Sequence, residues 1–452
     1  MSKDLGTLVN RRAYRAYVLA VIWFVLLLRF LDLQVIAVLM ESIKREFAIS
    51  DTQLGLLTGF AFSVFYGTLG IPVAFLADRS NRVTIIAAAV SVWSAMTAAC
   101  GLASTFPLLL MARLGVGIGE AGGNAPAYSL ISDYFPARRR AFIFAILNSA
   151  VPVGTFTGLI IGGIVSARLG WRAAFWAVGL PGLAIGLLAL LTVHDPRRAR
   201  GRAPVQRVST SSISKDLRAL LDKRSYRHLV LATSLFTLGA LGSGIWIPSF
   251  FIRVHHLPSA QVATWLACIY GGGGLIGALT GGILADHLVA RTHDCRWHVW
   301  IAGICSAATL PFTFFVYLWP DPITALLMHT GATILMHMWM GPAYGLVQSL
   351  AGPQRRTMAA AVNMLAINLL AYGLGPLLVG TGSDALRAIL GNQSLRYSIL
   401  TVVVLAYGWA AAHFFIAAKT VRHEIEVESS DDESTDATIQ GRSWHKLQSQ
   451  AD

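Results

Sequence analysis

The stretch Arg113-Leu114-Gly115-Val116-Gly117-Ile118-Gly119-Glu120 lies inside an apolar run from Phe106 to about Ser132. Roughly 20 apolar residues are enough for a helix to cross a bilayer. The two charges are seven residues apart, or two helical turns, so they share a face. A charge at bilayer depth costs about 2.5–3.5 kcal/mol on insertion scales, so such groups turn toward a bundle interior or a wet cavity. The three glycines between them allow another helix to approach closely. The stretch therefore reads as one wall of a transport cavity. The competing reading is a structural ion pair that locks two helices.

Composition extends this reading to the whole chain. Of 452 residues, 55% are hydrophobic and only 13% charged, and the mean hydropathy is +0.59. Soluble domains carry about 25% charged residues. Twelve apolar spans are predicted, at 17–40, 53–77, 83–103, 106–133, 139–166, 172–193, 227–252, 259–285, 298–319, 322–350, 357–385 and 396–419. The net charge of +13 would suit nucleic acid, but its placement argues against that partner. With both termini and the 194–226 linker on one side, that side holds 27 of the 36 Lys and Arg residues. The opposite loops hold 7, and Arg29 and Arg113 lie within spans. The positive-inside rule then places both termini in the cytoplasm of a multi-pass membrane protein, expected in a bacterial inner membrane. Arg11, Arg12 and Arg15 precede the first span and no small-residue cleavage site follows it, so it is expected to be an uncleaved anchor, and the four cysteines suggest no disulfide framework. The chain divides into an N-terminal half (1–193), a basic linker (194–226), a C-terminal half (227–420) and an acidic tail (421–452) expected to be disordered.

Two landmarks recur. Phe75-Leu-Ala-Asp78-Arg79-Ser-Asn-Arg82 after the second span is echoed by Gly282-Ile-Leu-Ala-Asp286-His-Leu-Val-Ala-Arg291 after the eighth. Phe135-Pro136-Ala-Arg-Arg-Arg140 after the fourth is echoed by Gly352-Pro353-Gln-Arg-Arg356 after the tenth. Their offsets, 208 and 217 residues, are nearly equal. A shared period of this size signals two parallel six-helix halves.

These segments resemble the major facilitator superfamily, across most of residues 14–419. Its loop signature is Gly-x-x-x-Asp-Arg-x-Gly-Arg. The first copy keeps Asp78, Arg79 and Arg82, with Ala74 and Asn81 where glycines are usual, and the second keeps Gly282 and Asp286. Arg113 to Ala121 resembles the helix-four signature. Within the superfamily the chain is similar to the Spinster-like group. Leu31-Asp32, Ser50 to Gly59, Gly117 to Ala121, Gly170 to Phe175 and Gly341-Pro342 carry that likeness. The resemblance implies an all-α membrane protein of twelve transmembrane helices, with helices one, four, seven and ten around the cavity. It implies that the Asp78, Arg79, Arg82, Asp286 and Arg291 loops act as cytoplasmic gates. Eukaryotic members export sphingosine-1-phosphate or lysophospholipids. One departure stands out. The group usually reads Asn-Tyr-x-Asp-Arg in helix one, and here it is Arg29-Phe30-Leu31-Asp32-Leu33, so the positive charge has moved by one turn.

Arg29, Asp32, Arg113 and Glu120 sum to zero charge, as buried charges should when each finds a partner. Across helices one and four they are expected to form one network, in which Asp32 or Glu120 carries a proton and an arginine holds an anionic headgroup. Phe62, Tyr66, Trp246, His337, Trp339 and Tyr344 are candidates for the cavity lining. No catalytic residues, cofactor or metal site are expected, and no P-loop is present to couple ATP. The expected function is proton-coupled secondary active transport, by alternating access, of an amphipathic or anionic, organic or lipid-like molecule, with protons and membrane lipid as partners, by a monomer. The alternative is a proton-coupled symporter of small organic anions in the same superfamily.

Overall fold

The computed structural model describes residues 11–199 and 210–426, and among them no strand occurs. Nine stretches of these residues are long and apolar enough to cross a membrane. One of them, Met358–Ala417, spans 60 residues and turns back at Gly391–Gln393, so it forms two rods. Residues 51–79 and 106–134 add two more, interrupted by a π-turn and by a turn at 121–123. The twelve rods are α1 (Arg12–Phe47), α2 (51–79), α3 (Arg82–Cys100), α4 (106–134), α5 (Arg138–Leu169) and α6 (Trp171–Thr192). The second set is α7 (Arg224–Val254), α8 (Ser259–Thr292), α9 (Trp297–Leu318), α10 (Pro322–Leu350), α11 (352–390) and α12 (Ser394–Ala417).

Local signals set several starts. Ser50 and Gln53 form a capping box at the head of α2. Asn81 caps α3, and Asp321 caps α10 with Pro322 in its first turn. Packing then repeats with a six-helix period. In the first set α1 packs on α5 and α6, α3 on α4 and α6, and α2 on α4. In the second α7 packs on α11 and α12, α9 on α10 and α12, and α8 on α10. Gly158 of α5 permits the close approach of α1, since a Cβ there would sit 2.6 Å from the Leu31 carbonyl oxygen. That approach fixes the backbone next to Asp32.

The halves meet through α2 with α11, α5 with α8 and α1 with α7. These contacts crowd toward one face. A Cβ at Gly55 would lie 2.6 Å from the Pro376 carbonyl oxygen, and Gly163 faces Ala263 closely. Further along the same α2 and α8, Gly70 and Gly282 have nothing within 4 Å. The molecule is therefore closed on the loop face (48–50, 255–258, 391–393) and parted toward the terminal face, which carries Arg11, Glu426 and the described parts of the inter-half linker. Three π-turns, Leu56–Phe60, Ile269–Gly273 and Asn368–Leu374, fall in α2, α8 and α11. Such turns often mark functional sites.

Part of the expected linker, 200–209, and of the expected tail, 427–452, lies outside the described residues. The rest of both segments is more structured than their polarity suggests. Thr210–Asp222 is a helix, tied to α11 through Asp216 and Arg355 at 3.2 Å. Residues 421–426 are helical rather than disordered, with Val421 fully buried. Glu424 accepts the backbone N–H of Ser225 at 3.2 Å, which satisfies a free donor in the first turn of α7.

Candidate functional site

The four intramembrane charges come together between α1 and α4 as two pairs. Arg29 Nε donates to Glu120 Oε2 at 2.8 Å, and Arg113 Nη1 donates to Asp32 Oδ2 at 2.8 Å. All four are buried, from 0% exposed for Asp32 and Glu120 to 6% for Arg29. Each arginine takes one carboxylate, so the expected shared network is resolved into two cross-helix bridges. Helical spacing explains the choice: Arg29 and Asp32 are one turn apart on α1, and Arg113 and Glu120 are two turns apart on α4, so antiparallel helices pair them crosswise.

The two carboxylates differ in their surroundings. Asp32 is saturated, because Oδ1 also accepts from Thr97 Oγ1 of α3 at 2.8 Å. Glu120 keeps Oε1 buried without any hydrogen-bond partner, and so are Arg113 Nε and Asn124 Oδ1. A buried unsatisfied polar group costs about 1–3 kcal/mol, so these atoms mark where something else can bind. Directly after Glu120 the helix loosens into the turn at 121–123, and Asn124 Nδ2 contacts Tyr66 OH at 3.3 Å. The Arg29 guanidinium lies 4.8 Å from the Tyr66 ring centroid and 5.3 Å from that of Phe30. Thr97 is absent from the residues singled out in the sequence. A single threonine in an apolar helix carries no periodic signal.

The candidate lining residues separate. Tyr66 joins the central pairs. The side chain of Phe62 lies outside the described residues. His337 is half-buried on α10, its Nδ1 2.8 Å from the Thr333 carbonyl oxygen and its ring against Gly274 of α8. Trp339 is 3% exposed and packs on Phe236, with ring centroids 4.8 Å apart, and on the half-buried Tyr344 at 5.6 Å. Trp246 does not line open space. It is fully buried near the loop face, and Nε1 donates to the Pro376 carbonyl oxygen of α11 at 2.9 Å. A tryptophan in an apolar span carries no signal that separates packing from cavity lining.

A second polar constellation, unread in the sequence, joins the halves at the loop face. Arg253 of α7 donates to both oxygens of Asp51 at 2.7 Å and to Glu41 Oε1 of α1 at 2.7 Å. Lys44 and Ser383 Oγ also donate to the Asp51 carboxylate. Asp384 of α11 accepts from the Asp51 and Thr52 backbone N–H groups at 3.1 and 2.7 Å, so the second half caps the first turn of α2. Arg253 and Lys44 thereby hold the Asp51 carboxylate in a latch between the halves. Asp51→Asn should weaken it by roughly 3–5 kcal/mol by leaving Arg253 under-paired. Spin labels at 168 and 385 in a cysteine-free background would report the loop face opening. An unchanged distance distribution in Asp51→Asn would show that the latch does not hold the halves.

At the terminal face Arg82 is buried and binds Asp195 (Nε–Oδ2 3.0 Å) and Asp133 (2.8 Å). Burial opposes ionisation of Asp195, yet Arg82 keeps its carboxyl below the usual range. These bonds tie the first half to the start of the linker. The side chains of Asp78 and Arg79 are outside the described residues. In the second half Asp286 is 84% exposed, 3.8 Å from His298, and Arg291 is exposed. Among the described residues, no bond joins the two loops across the halves.

Comparison with known proteins fits this geometry. The Major Facilitator Superfamily profile matches residues 22–376. An MFS-type efflux pump of Mycolicibacterium smegmatis is 29% identical over 93% of this chain and 96% of its own length. The sphingosine-1-phosphate transporter SPNS2 of Danio rerio is 27% identical over 86% of this chain and 82% of its own. The crystal structure of a bacterial homolog of the human lysosomal transporter Spinster, inward-facing and unoccupied, superposes with a TM-score of 0.81. It is 28% identical and covers 92% of this chain and 99% of that one. An integral multi-pass protein with twelve rods in two halves, charged pairs at its centre and these relatives is a transporter rather than an enzyme; the chain belongs to the Major Facilitator Superfamily, in its Spinster-like group.

Proposed function

We propose that this chain is a proton-coupled secondary transporter for an amphipathic, anionic, lipid-like molecule, working by alternating access. The observation that carries the coupling is the asymmetry between the two central carboxylates. Asp32 has both oxygens occupied, whereas Glu120 keeps Oε1 buried and unpartnered. A proton arriving at Glu120 would weaken its bridge to Arg29 and free that guanidinium for a phosphate or carboxylate headgroup. The relatives that handle sphingosine-1-phosphate support a lipid-like substrate. In this reading the halves 1–193 and 227–420 rock about the midplane pairs. The loop-face latch is the outer gate, and the terminal face is cytoplasmic in a bacterial inner membrane. The protein acts as a monomer, with Asp78, Arg79, Arg82, Asp286 and Arg291 re-pairing when the terminal face closes.

The test is uptake into proteoliposomes of a panel of lysophospholipids, sphingoid phosphates and small organic acids under imposed proton or sodium gradients. Accumulation of a lipid-like anion that follows the proton gradient is the expected result. Transport that ignores both gradients would sink the coupling, and transport confined to small organic acids would replace the lipid substrate with the smaller class.

A further inference from the structure

The loop-face latch borders a cavity of about 440 Å³, within the range of small-ligand sites. Lys44, Arg45, Arg253 and Arg387 line it, together with Glu41 and Asp51. Four basic groups face two carboxylates, an excess of two positive charges. Both carboxylates are already engaged, Asp51 by Arg253 and Lys44 and Glu41 by Arg253. Arg45 and Arg387 have no carboxylate partner among the described residues. Arg387 is near enough to Lys44 to repel it. Both arginines sit in the last turns of their helices, where a cation offsets the helix dipole. That role explains each one singly but not why two helices from opposite halves bring them to one cavity. Two residues beyond the cavity-lining Ser394, Arg396 also lacks a carboxylate, and its Nε is buried without a partner.

We propose that this cavity is an anion site for a phosphoryl group, and that filling it strengthens the closure of the loop face. A phosphate monoester carries about −1.5 to −2 charge at pH 7, which matches the excess. Arg45, from the first half, and Arg387, from the second, supply fork-shaped donors suited to phosphate. A phosphoryl group held there competes with Asp51 for Lys44 and Arg253. Because the four cations come from both halves, however, the ligand itself bridges the halves and favours the state closed at this face. The site lies apart from Arg29 and Glu120 and needs neither the proton nor the lipid substrate. The assignment of this face as the outer one rests on the proposed orientation, but binding does not.

The experiment titrates inorganic phosphate and pyrophosphate into the detergent-solubilised full chain by calorimetry at fixed ionic strength, with chloride as control. The Arg45→Gln/Arg387→Gln variant should weaken pyrophosphate binding roughly tenfold or more, as loss of charge-assisted hydrogen bonds does. Arg168→Gln, on the same face but outside the cavity, should leave it unchanged. A second arm compares nanodiscs of phosphatidylcholine alone with nanodiscs containing phosphatidic acid. If the latter abolish pyrophosphate binding to the parent chain, the site is filled by a lipid headgroup; if they do not, it takes a free phosphate compound. Spin labels at 168 and 385 then report the latch, and saturating pyrophosphate should decrease the open fraction, most visibly in Asp51→Asn. Absence of binding to the parent chain, or equal binding by the double variant and Arg168→Gln, overturns the site. Binding without any change in the label distances overturns its action on the latch. Because none of these readouts requires transport, their failure leaves the central substrate reading standing, and the converse also holds.

Discussion

Replacing Arg113 by leucine should cost about 3–5 kcal/mol of stability, because it strands Asp32 as a charge in the bundle interior. Asp32 is completely buried, and Thr97 alone is left to bond it. The double variant Arg113→Leu/Asp32→Leu should recover most of that loss. A buried ion pair replaced by apolar residues of similar volume is often neutral or stabilising. Thermal unfolding of purified protein in detergent measures both. Transport distinguishes the two readings of the pair. If the bridge is part of the switching apparatus, the double variant stays folded and transports nothing. If it retains the parent's uptake, the bridge is only a structural lock between α1 and α4.

Glu120→Gln should abolish proton-driven accumulation while leaving substrate exchange across the membrane intact. The amide keeps an oxygen to accept from Arg29 Nε, so the 2.8 Å contact survives, but it carries no titratable proton. Accumulation under an inward proton gradient should fall to the level seen without one. Counterflow, which needs only substrate binding and rocking, should persist within a few-fold. Asp32→Asn should differ, losing both activities, because Asp32 is bonded at both oxygens and serves to hold Arg113. Concentrative uptake by Glu120→Gln under a proton gradient would move the proton carrier elsewhere.

Much of the molecule is legible in its linear order because the bilayer imposes length and polarity on each segment. Every buried backbone group in the hydrocarbon region must be bonded within its own helix, so an apolar run of about 20 residues has one solution. The repeat at offsets of 208 and 217 residues then implies two halves, and their packing repeats with a six-helix period. The charged stretch from Arg113 to Glu120, with Arg29 and Asp32, is conspicuous for the same reason: a charge in that setting is too costly to be incidental.

Other features depended on distances the chain order does not contain. Lys44 and Arg253 read as ordinary loop cations, yet Arg253 meets Asp51 at a sequence separation of 202 and Asp384 meets Thr52 at one of 332. A residue at a membrane edge has no periodic signature that separates a gate from a solvated anchor. Trp246 shows the same limit in the other direction, since a candidate for the cavity lining is fully buried against the Pro376 carbonyl oxygen. The amino-acid sequence by itself determined the number of spans, the two-half repeat and which charges must be buried, since these follow from the cost of polar groups in lipid. Only the tertiary structure decided that Arg29 pairs with Glu120 and Arg113 with Asp32, that one Glu120 oxygen stays unpartnered, and that a latch closes the loop face. Those outcomes follow from how closely packed helices register against one another, and partner choice between neighbouring charges turns on shifts of a single helical turn.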